Sequence, residues 1–173
     1  MKKYTVHGII VKRRERKETD KIVTIVTKQQ GKLSVLAKGI RKVTSRRGPS
    51  LELFNEVILT LHRAHFLDIV TEVTVVNAYS RIRNDLQRVS AAYELCEIAD
   101  ILTREHQEQQ EVFDLLCAHL HRLNVGDLDC LYEFKRDILM TLGFLSDEEA
   151  LIEFDEYIEQ IAERRLYAPK IYE

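Results

Sequence analysis

Short β-branched runs separated by polar connections fill the first 78 residues and predict a small β-domain. The predicted strands cover residues 4–11, 21–27, 32–37, 53–61 and 67–76. Five short strands at this spacing are typical of a small barrel. Several runs are apolar on both faces, among them Ile9-Ile10-Val11, and we therefore expect helices to cover part of the barrel.

From Ser80 onward the apolar residues recur about every 3.6 positions, which predicts amphipathic helices. Three apolar stripes run from Ala91 to Leu102, from Val112 to Leu123 and from Leu131 to Leu142. A fourth helix is predicted from the S-x-x-E capping box at residues 146–149.

Local signals also predict where these helices begin and end. Gly126 is expected to stop the second helix, and Asp127 is expected to cap the third. The whole pattern predicts an α+β fold, in which a five-stranded barrel domain at 1–78 is followed by a bundle of four or five helices at 79–173.

Charge is distributed unevenly between these two parts. Residues 1–75 hold sixteen Lys and Arg against seven Asp and Glu, whereas the remainder holds ten against twenty-one. Charges of +9 and −11 thus lie behind the net charge of −2. Because a positive field concentrates polyanions near one end of a molecule, the asymmetry indicates an anionic partner for the barrel.

Composition excludes several classes of protein. Hydrophobic residues at 45% and charged residues at 31% are typical of a globular protein rather than a disordered one. No run approaches the ~18 apolar residues of a membrane span and no signal peptide follows Met1, so we expect a cytoplasmic protein. Cys96, Cys117 and Cys130 lack C-x-x-C spacing and are predicted to be reduced core residues.

Cations of the barrel are the candidates for phosphate contacts, because each can neutralise a phosphate and release counterions. Most of them lie in two loops and at strand ends. The candidate DNA-binding residues are Lys12, Arg13, Arg14, Lys21, Lys32, Lys38, Arg41, Lys42, Arg46 and Arg47. Any single member could be an ordinary solvating charge, but the set as a whole predicts a basic surface.

Aromatic side chains add little to this prediction. The chain has no Trp, and Tyr4, Phe54 and Phe66 are the aromatic residues of the predicted barrel. Such residues pack in a core more often than they stack on a base. We therefore predict binding that is mostly electrostatic, with weak sequence preference and steep salt dependence.

Neither a metal site nor a catalytic site is predicted. Cys117 and His121 stand four residues apart on one predicted helix, but a structural zinc site needs four ligands. The acidic runs at 108–111 and 147–149 are interpreted as helix caps and solvated faces. Since the sequence has no P-loop, no G-x-S-x-G and no H-E-x-x-H motif, it predicts a protein that is not an enzyme and uses no cofactor.

An ordered set of short motifs in the barrel resembles the bacterial recombination mediator family RecO. The motifs are Gly8, Glu18-Thr19-Asp20, T-x-x-x-G-K at 27–32, A-K-G-x-R at 37–41 and S-R-x-x-x-x-L-x-x-F at 45–54. Weaker similarity continues at Leu142-Gly143-Phe144 and over residues 157–166. Many relatives carry an insertion after the leucine-glycine-aromatic element, often with paired cysteines that hold zinc, whereas this chain reaches the predicted capping box within two residues.

The resemblance implies an N-terminal OB-fold joined to a helical domain, and a non-catalytic role in DNA repair and homologous recombination within the RecF pathway. Family members bind single- and double-stranded DNA, anneal complementary strands, bind the acidic C-terminal tail of single-stranded DNA-binding protein, and act with RecR to load RecA. Charge and motif coincide at Lys32, Lys38, Arg41 and Arg46, where the implied DNA contacts are best supported. Candidates for the contact with the acidic tail are Arg122, Arg136, Arg164 and Arg165.

Two other functions stay open at the level of sequence. In one, the protein is an interaction adaptor, and its basic barrel binds an acidic protein partner or its own acidic helical part. In the other, it is an RNA-binding OB protein. Reversing the charges of Lys38, Arg41 and Arg46 separates the adaptor from the DNA binder, because an adaptor would keep its DNA binding and lose its partner.

Overall fold

The computed structural model describes residues 2–40, 47–146 and 153–170. Its strands are β1 (Lys3–Glu15), β2 (Lys21–Thr27), β3 (Gly31–Ala37), β4 (Glu56–His62) and β5 (Ile69–Asn77). Its α-helices are α1 (Leu86–Leu102), α2 (Gln110–Val125), α3 (Cys130–Thr141) and α4 (Phe154–Ala162). The predicted α+β class, with strands first and helices after them, is confirmed.

The five strands close into a barrel in the order β1-β2-β3-β5-β4. Strands β3 and β5 pair in parallel at Leu36 and Ile69, and the other neighbours are antiparallel. Strand β1 pairs with β4 through its first half and with β2 through its second, and a register shift between Ile10 and Lys12 bends it between the two. The predicted five-stranded barrel is thus confirmed.

Two predicted strand bounds differ from the structure by three residues or more. Strand β1 continues past residue 11 to Glu15, because its polar end pairs with β2, as in the match of Arg14 with Ile22. Strand β4 starts at Glu56 and not at residue 53, since Phe54 adopts a φ of 73° and turns the chain before the strand begins.

The barrel is apolar on both of its surfaces, as predicted. Ile10 and Ile25 are buried in the cluster that fills the interior. Ile9, Val11 and Val26 belong to a second cluster, which joins the outside of the barrel to the helices. Burying a side chain of this size contributes roughly 2 kcal/mol, so this shared cluster holds the helices firmly against one side of the barrel.

Helix ends follow the sequence signals in part. Gly126 ends α2 with a φ of 107°, and its N–H bonds the carbonyls at the end of that helix, as predicted. The prediction that Asp127 caps α3 is wrong, because α3 begins after Asp129 and Arg122 donates from Nε to Asp127 at 2.7 Å. Residues 147–149 of the predicted capping box lie outside the described residues.

The three cysteines are free thiols packed among the helices. Cys96 and Cys130 are buried and Cys117 is half-buried. Burial raises the pKa of Cys117 and of Cys130 to about 12, so both are protonated at neutral pH. Within the described ranges, no group of three or more His, Cys, Asp or Glu side chains could hold a metal ion. None of the helices in those ranges has the length and apolar character needed to cross a membrane.

Candidate nucleic-acid interface

One end of the barrel is formed by two loops that flank the end of β3. Asp20, in the loop between β1 and β2, accepts a hydrogen bond from the Gly39 N–H at 2.8 Å. In the loop between β4 and β5, the Asp68 carbonyl accepts from the Leu36 N–H at 2.8 Å. We call this region, made of residues 14–21, 38–39, 47 and 63–68, the open end of the barrel.

The open end is held together by charged groups that act on the backbone. The N–H of Gly39, which bonds the Asp20 carboxylate, holds the pKa of that carboxyl below its usual value, with a smaller contribution from Thr19. Arg47 donates to the carbonyl of Val70 at 2.8 Å and to that of Lys38 at 3.1 Å. Arg47 therefore fixes the chain around Lys38, and its guanidinium is engaged with protein groups.

Several cations of the open end are available to a ligand. Lys38 and Arg14 are exposed, and Lys21 is half-buried. None of the three forms an ion pair with a carboxylate in the described part of the chain. Arg16 and Lys17, which the candidate set did not include, are exposed in the loop between them. Three further cations of the candidate set, Arg41, Lys42 and Arg46, lie outside the described residues.

The other end of the barrel faces the helices, and two predicted DNA-binding lysines are engaged there. Lys32 donates from Nζ to the Asp100 carbonyl at 2.5 Å and pairs with the Asp100 carboxylate at 3.2 Å, and its side chain is only 13% exposed. Lys12 pairs with the same carboxylate at 3.4 Å. Arg13 pairs with Glu52 at 2.8 Å. Asp100 of the acidic helical part thus neutralises Lys12 and Lys32 at this helix-facing end, which we define by Lys12, residues 28–32 and Asp100.

The T-x-x-x-G-K motif docks the barrel onto the helices. Thr27 donates from Oγ1 to the Gly31 carbonyl at 2.6 Å, closing the turn between β2 and β3. Gly31 has a φ of 68°, and a Cβ at this position would lie 1.8 Å from the carbonyl oxygen of Gln107. The His106 N–H donates to the Lys32 carbonyl at 3.0 Å. This motif therefore seats the turn against the connection between α1 and α2.

The two ends lie far apart on one strand. Lys32 and Lys38 are six residues apart along β3 and its continuation, which corresponds to about 20 Å of extended chain. Of these two lysines, Lys38 is the exposed one and lies at the open end of the barrel. The basic surface predicted as one patch is divided in the structure between these two ends.

Aromatic residues of the barrel occupy three different environments. Phe54 is buried and meets Tyr93 edge to face, with ring centroids 5.1 Å apart. Tyr4 is half-buried and donates its hydroxyl to Asp68. Phe66 is 88% exposed. The prediction of core packing is therefore wrong for Phe66. Nothing in the sequence around Phe66 indicates its exposure, because a single aromatic residue in the short connection between β4 and β5 has no periodic pattern.

The arginines proposed for the acidic tail are mostly engaged by neighbouring carboxylates. Arg122 pairs with Asp127 and Glu133, and those bonds raise the pKa of its guanidinium. Arg136 pairs with the adjacent carboxylate of Asp137, and Arg164 pairs with Glu97. Arg165 is exposed and forms no ion pair within the described ranges.

A groove of about 360 Å³ lies between β1, α1 and the segment after α4. Glu97 closes its rim by accepting from the N–H groups of Tyr167 and Ala168 at 2.8–3.0 Å, and from Arg164 at 2.7 Å. Val11 and Tyr93 contribute apolar surface. The cations around this groove are already paired with carboxylates, so it offers less free positive charge than the open end.

Comparison with known proteins identifies the family. Residues 1–79 match the family model described as Recombination protein O N terminal, and residues 83–150 match Recombination protein O C terminal. A DNA repair protein RecO from Symbiobacterium thermophilum is 33% identical over 144 residues, which is 82% of this chain and 57% of the relative. The RecO of Roseiflexus sp. is 36% identical over 144 residues, covering 82% of this chain and 50% of that protein.

The similarity extends over nearly all of the chain in a third relative, the RecO of Desulfitobacterium hafniense, which is 28% identical over 170 residues. That alignment covers 96% of this chain and 60% of the relative. The chain spans about half to three fifths of the length of these curated relatives. The resemblance found in the motifs is confirmed, and the chain belongs to the RecO family of DNA repair and recombination proteins.

Proposed function

We propose that this protein binds single-stranded DNA through phosphate contacts at the open end of the barrel and acts there as a recombination mediator. The observation that carries the proposal is the separation of the cations. Lys12 and Lys32 are neutralised by Asp100 at the helix-facing end, whereas Arg14 and Lys38 are exposed at the open end without a carboxylate partner in the described ranges.

Phosphate binding is the chemistry that this arrangement supports best. Each exposed cation can replace a condensed counterion, and the gain does not depend on base sequence. The backbone around Lys38 is fixed by Asp20 and Arg47, so the site is ordered before a ligand arrives. We include Arg41, Lys42 and Arg46 in the same proposed set by sequence, since they lie within the seven residues that follow Gly39.

The finer functions are proposals that rest on family membership. We propose that the protein also binds double-stranded DNA, anneals complementary strands, and works with RecR in loading RecA in the cytoplasm. For the acidic tail of single-stranded DNA-binding protein we favour Arg165 among the four candidates, because Arg122, Arg136 and Arg164 are paired with carboxylates. We also propose that 1–78 and 79–173 are separate domains, joined by the shared apolar cluster.

Fluorescence anisotropy with a labelled, unstructured DNA strand tests the central proposal. The double variant Arg14→Glu/Lys38→Glu is compared with Arg81→Glu/Arg104→Glu, which removes two exposed cations of the helical part and changes the net charge equally. The slope of log K against log salt is negative, and each lost phosphate contact reduces its magnitude by about 0.7. The first variant should therefore lose about 1.4 in slope and bind roughly 25-fold more weakly at ~0.1 M salt.

The control variant should keep the wild-type slope and affinity. Equal weakening by both variants would show that net charge, and not the open end, attracts the strand. Binding that is absent at low salt, or unaffected by salt, would overturn the proposal. An adaptor would show the opposite result, since Arg14→Glu/Lys38→Glu would leave DNA binding unchanged and abolish capture of the acidic partner.

A further inference from the structure

The loop between β4 and β5 carries an aromatic pair that the fold leaves in solvent. Phe66 is 88% exposed, more than any other large apolar side chain in the described ranges. The ring of His65 lies beside it, with centroids 4.8 Å apart and planes inclined by 54°. The aromatic pair, defined as His65 and Phe66, therefore forms the tip of this loop.

The stem beneath the aromatic pair is anchored on both sides. Asp68 accepts from the Ala64 N–H at 3.1 Å and from the Tyr4 hydroxyl. The Arg63 N–H donates to the Lys2 carbonyl at 3.1 Å, and its guanidinium lies 5.1 Å from the centre of the Tyr4 ring. Because these bonds fix the loop before a ligand binds, the tip can engage a partner at a small cost in conformational entropy.

The same loop belongs to the open end of the barrel. The Asp68 carbonyl bonds the Leu36 N–H two residues before Lys38, and Arg47 bonds the carbonyls of Val70 and Lys38. The aromatic pair is thus attached to the strand end that presents the exposed cations, and Arg63 adds another exposed positive charge beside it. An apolar protein partner or a second copy of this chain would have to desolvate these cations, whereas a polyanion would neutralise them.

We propose that Phe66, with His65 beside it, stacks on unpaired bases of a single strand whose phosphates lie on the open end. The inference rests on the proposed function and deepens it, because it names the part of the ligand that the cations do not contact. Every base offers a π-face, so this contact adds affinity without sequence preference. Paired bases inside a duplex have no free face, so the contact also favours single strands.

Tryptophan fluorescence offers a direct test, because the chain has no Trp of its own. Phe66→Trp introduces one fluorophore at the tip. Tyr132→Trp is the matched control, because Tyr132 lies on α3 and is 62% exposed. Each protein is titrated with oligothymidine and with an abasic strand of equal length. Oligothymidine should quench Phe66→Trp, the abasic strand should not, and Tyr132→Trp should respond to neither.

Affinities from anisotropy complete the test. Phe66→Ala should bind oligothymidine roughly tenfold more weakly than wild type, bind the abasic strand equally well, and keep the salt slope. If Phe66→Trp binds oligothymidine by anisotropy without a change in its fluorescence, the stacking inference is overturned and phosphate binding stands. If neither strand binds the wild type, the proposed function and the inference both fail. A concentration-dependent shift of the Phe66→Trp emission without DNA would show self-association and would also overturn the inference.

Discussion

Lys32 and Lys38 stand near the two ends of one strand and have opposite environments. Lys32 donates to Asp100 and is nearly buried against α1, whereas Lys38 is exposed and has no ion-pair partner in the described residues. Both lysines lie in family motifs, and both were candidates for DNA contacts. The difference teaches that charge and motif together do not assign a role, because packing of the helices against one end of the barrel decides which lysine a ligand can reach.

The largest expected effect comes from the turn that seats the helix-facing end. Gly31→Ala places a Cβ 1.8 Å from the Gln107 carbonyl oxygen, so the backbone must move. We expect a loss of roughly 3 kcal/mol in the free energy of unfolding, measured by urea denaturation.

Gly143→Ala is the matched control for this substitution. Gly143 also has a positive φ, of 77°, but an added Cβ would meet no atom within 4 Å. Only the backbone preference is then lost, which costs about 1 kcal/mol. Equal losses for Gly31→Ala and Gly143→Ala would show that the contact with Gln107 contributes nothing, and that the helix-facing end is not a close-packed junction.

Exchanging each lysine of β3 for methionine compares the two ends directly. Lys32→Met leaves the half-buried Asp100 with Lys12, at 3.4 Å and more exposed, as its ion-pair partner within the described ranges, and should lower the free energy of unfolding by about 2 kcal/mol. Lys38→Met removes an exposed charge and should change it by less than about 0.5 kcal/mol. Thermal and urea unfolding measure the two losses in the free energy of unfolding. An equal loss for Lys38→Met and Lys32→Met would contradict the different environments of the two lysines.

The periodicity of apolar residues predicted most of the strands and helices, because this periodicity reflects which side chains are buried. Residues such as Ile9 and Ile10 face opposite sides of the barrel wall, and their adjacent apolar side chains indicated burial on both faces. Asp127 shows where local signals fail. It has the side chain of a helix cap and follows a helix stop, but α3 begins only after Asp129, and Arg122 on the preceding helix binds the Asp127 carboxylate.

The candidate site was less predictable, because it depends on contacts between residues far apart in sequence. Lys32 meets Asp100 only after the barrel and α1 have packed, and nothing near Lys32 in the sequence indicates that pair. Residue type alone predicts a core position for Phe66, although its loop holds it in solvent. Charge counts therefore located the basic domain, while the three-dimensional pairing of each cation was needed to locate its accessible end.

Two acidic residues should give stability profiles of opposite sign with pH. The Gly39 N–H lowers the pKa of Asp20 at the open end, so the stability that this carboxylate contributes is present above pH 3.8 and lost as the pH falls through the lowered pKa. Burial raises the pKa of Glu94 in the helical part, although Lys135 opposes the shift. The folded state therefore favours protonated Glu94, and its stability should fall as the pH rises above 4.5.

Urea unfolding of Asp20→Asn and Glu94→Gln across pH separates the two contributions. The advantage of wild type over Asp20→Asn should shrink in acid, and its advantage over Glu94→Gln should shrink as the pH rises from 4.5. Parallel profiles for the two variants would contradict the different environments of these carboxylates.

The smallest expected effect is on the salt dependence of DNA binding in the two methionine variants. This measurement distinguishes most directly between the two ends of β3. Lys38→Met should lower the slope of log K against log salt by about 0.7, which makes binding roughly fivefold weaker at ~0.1 M salt and nearly unchanged at ~1 M. Lys32→Met should keep the wild-type slope, because its ammonium is already neutralised by Asp100 in the free protein. A lower slope in Lys32→Met would mean that DNA displaces Asp100 and that the helix-facing end opens on binding. That result would move the interface from one end of β3 to both.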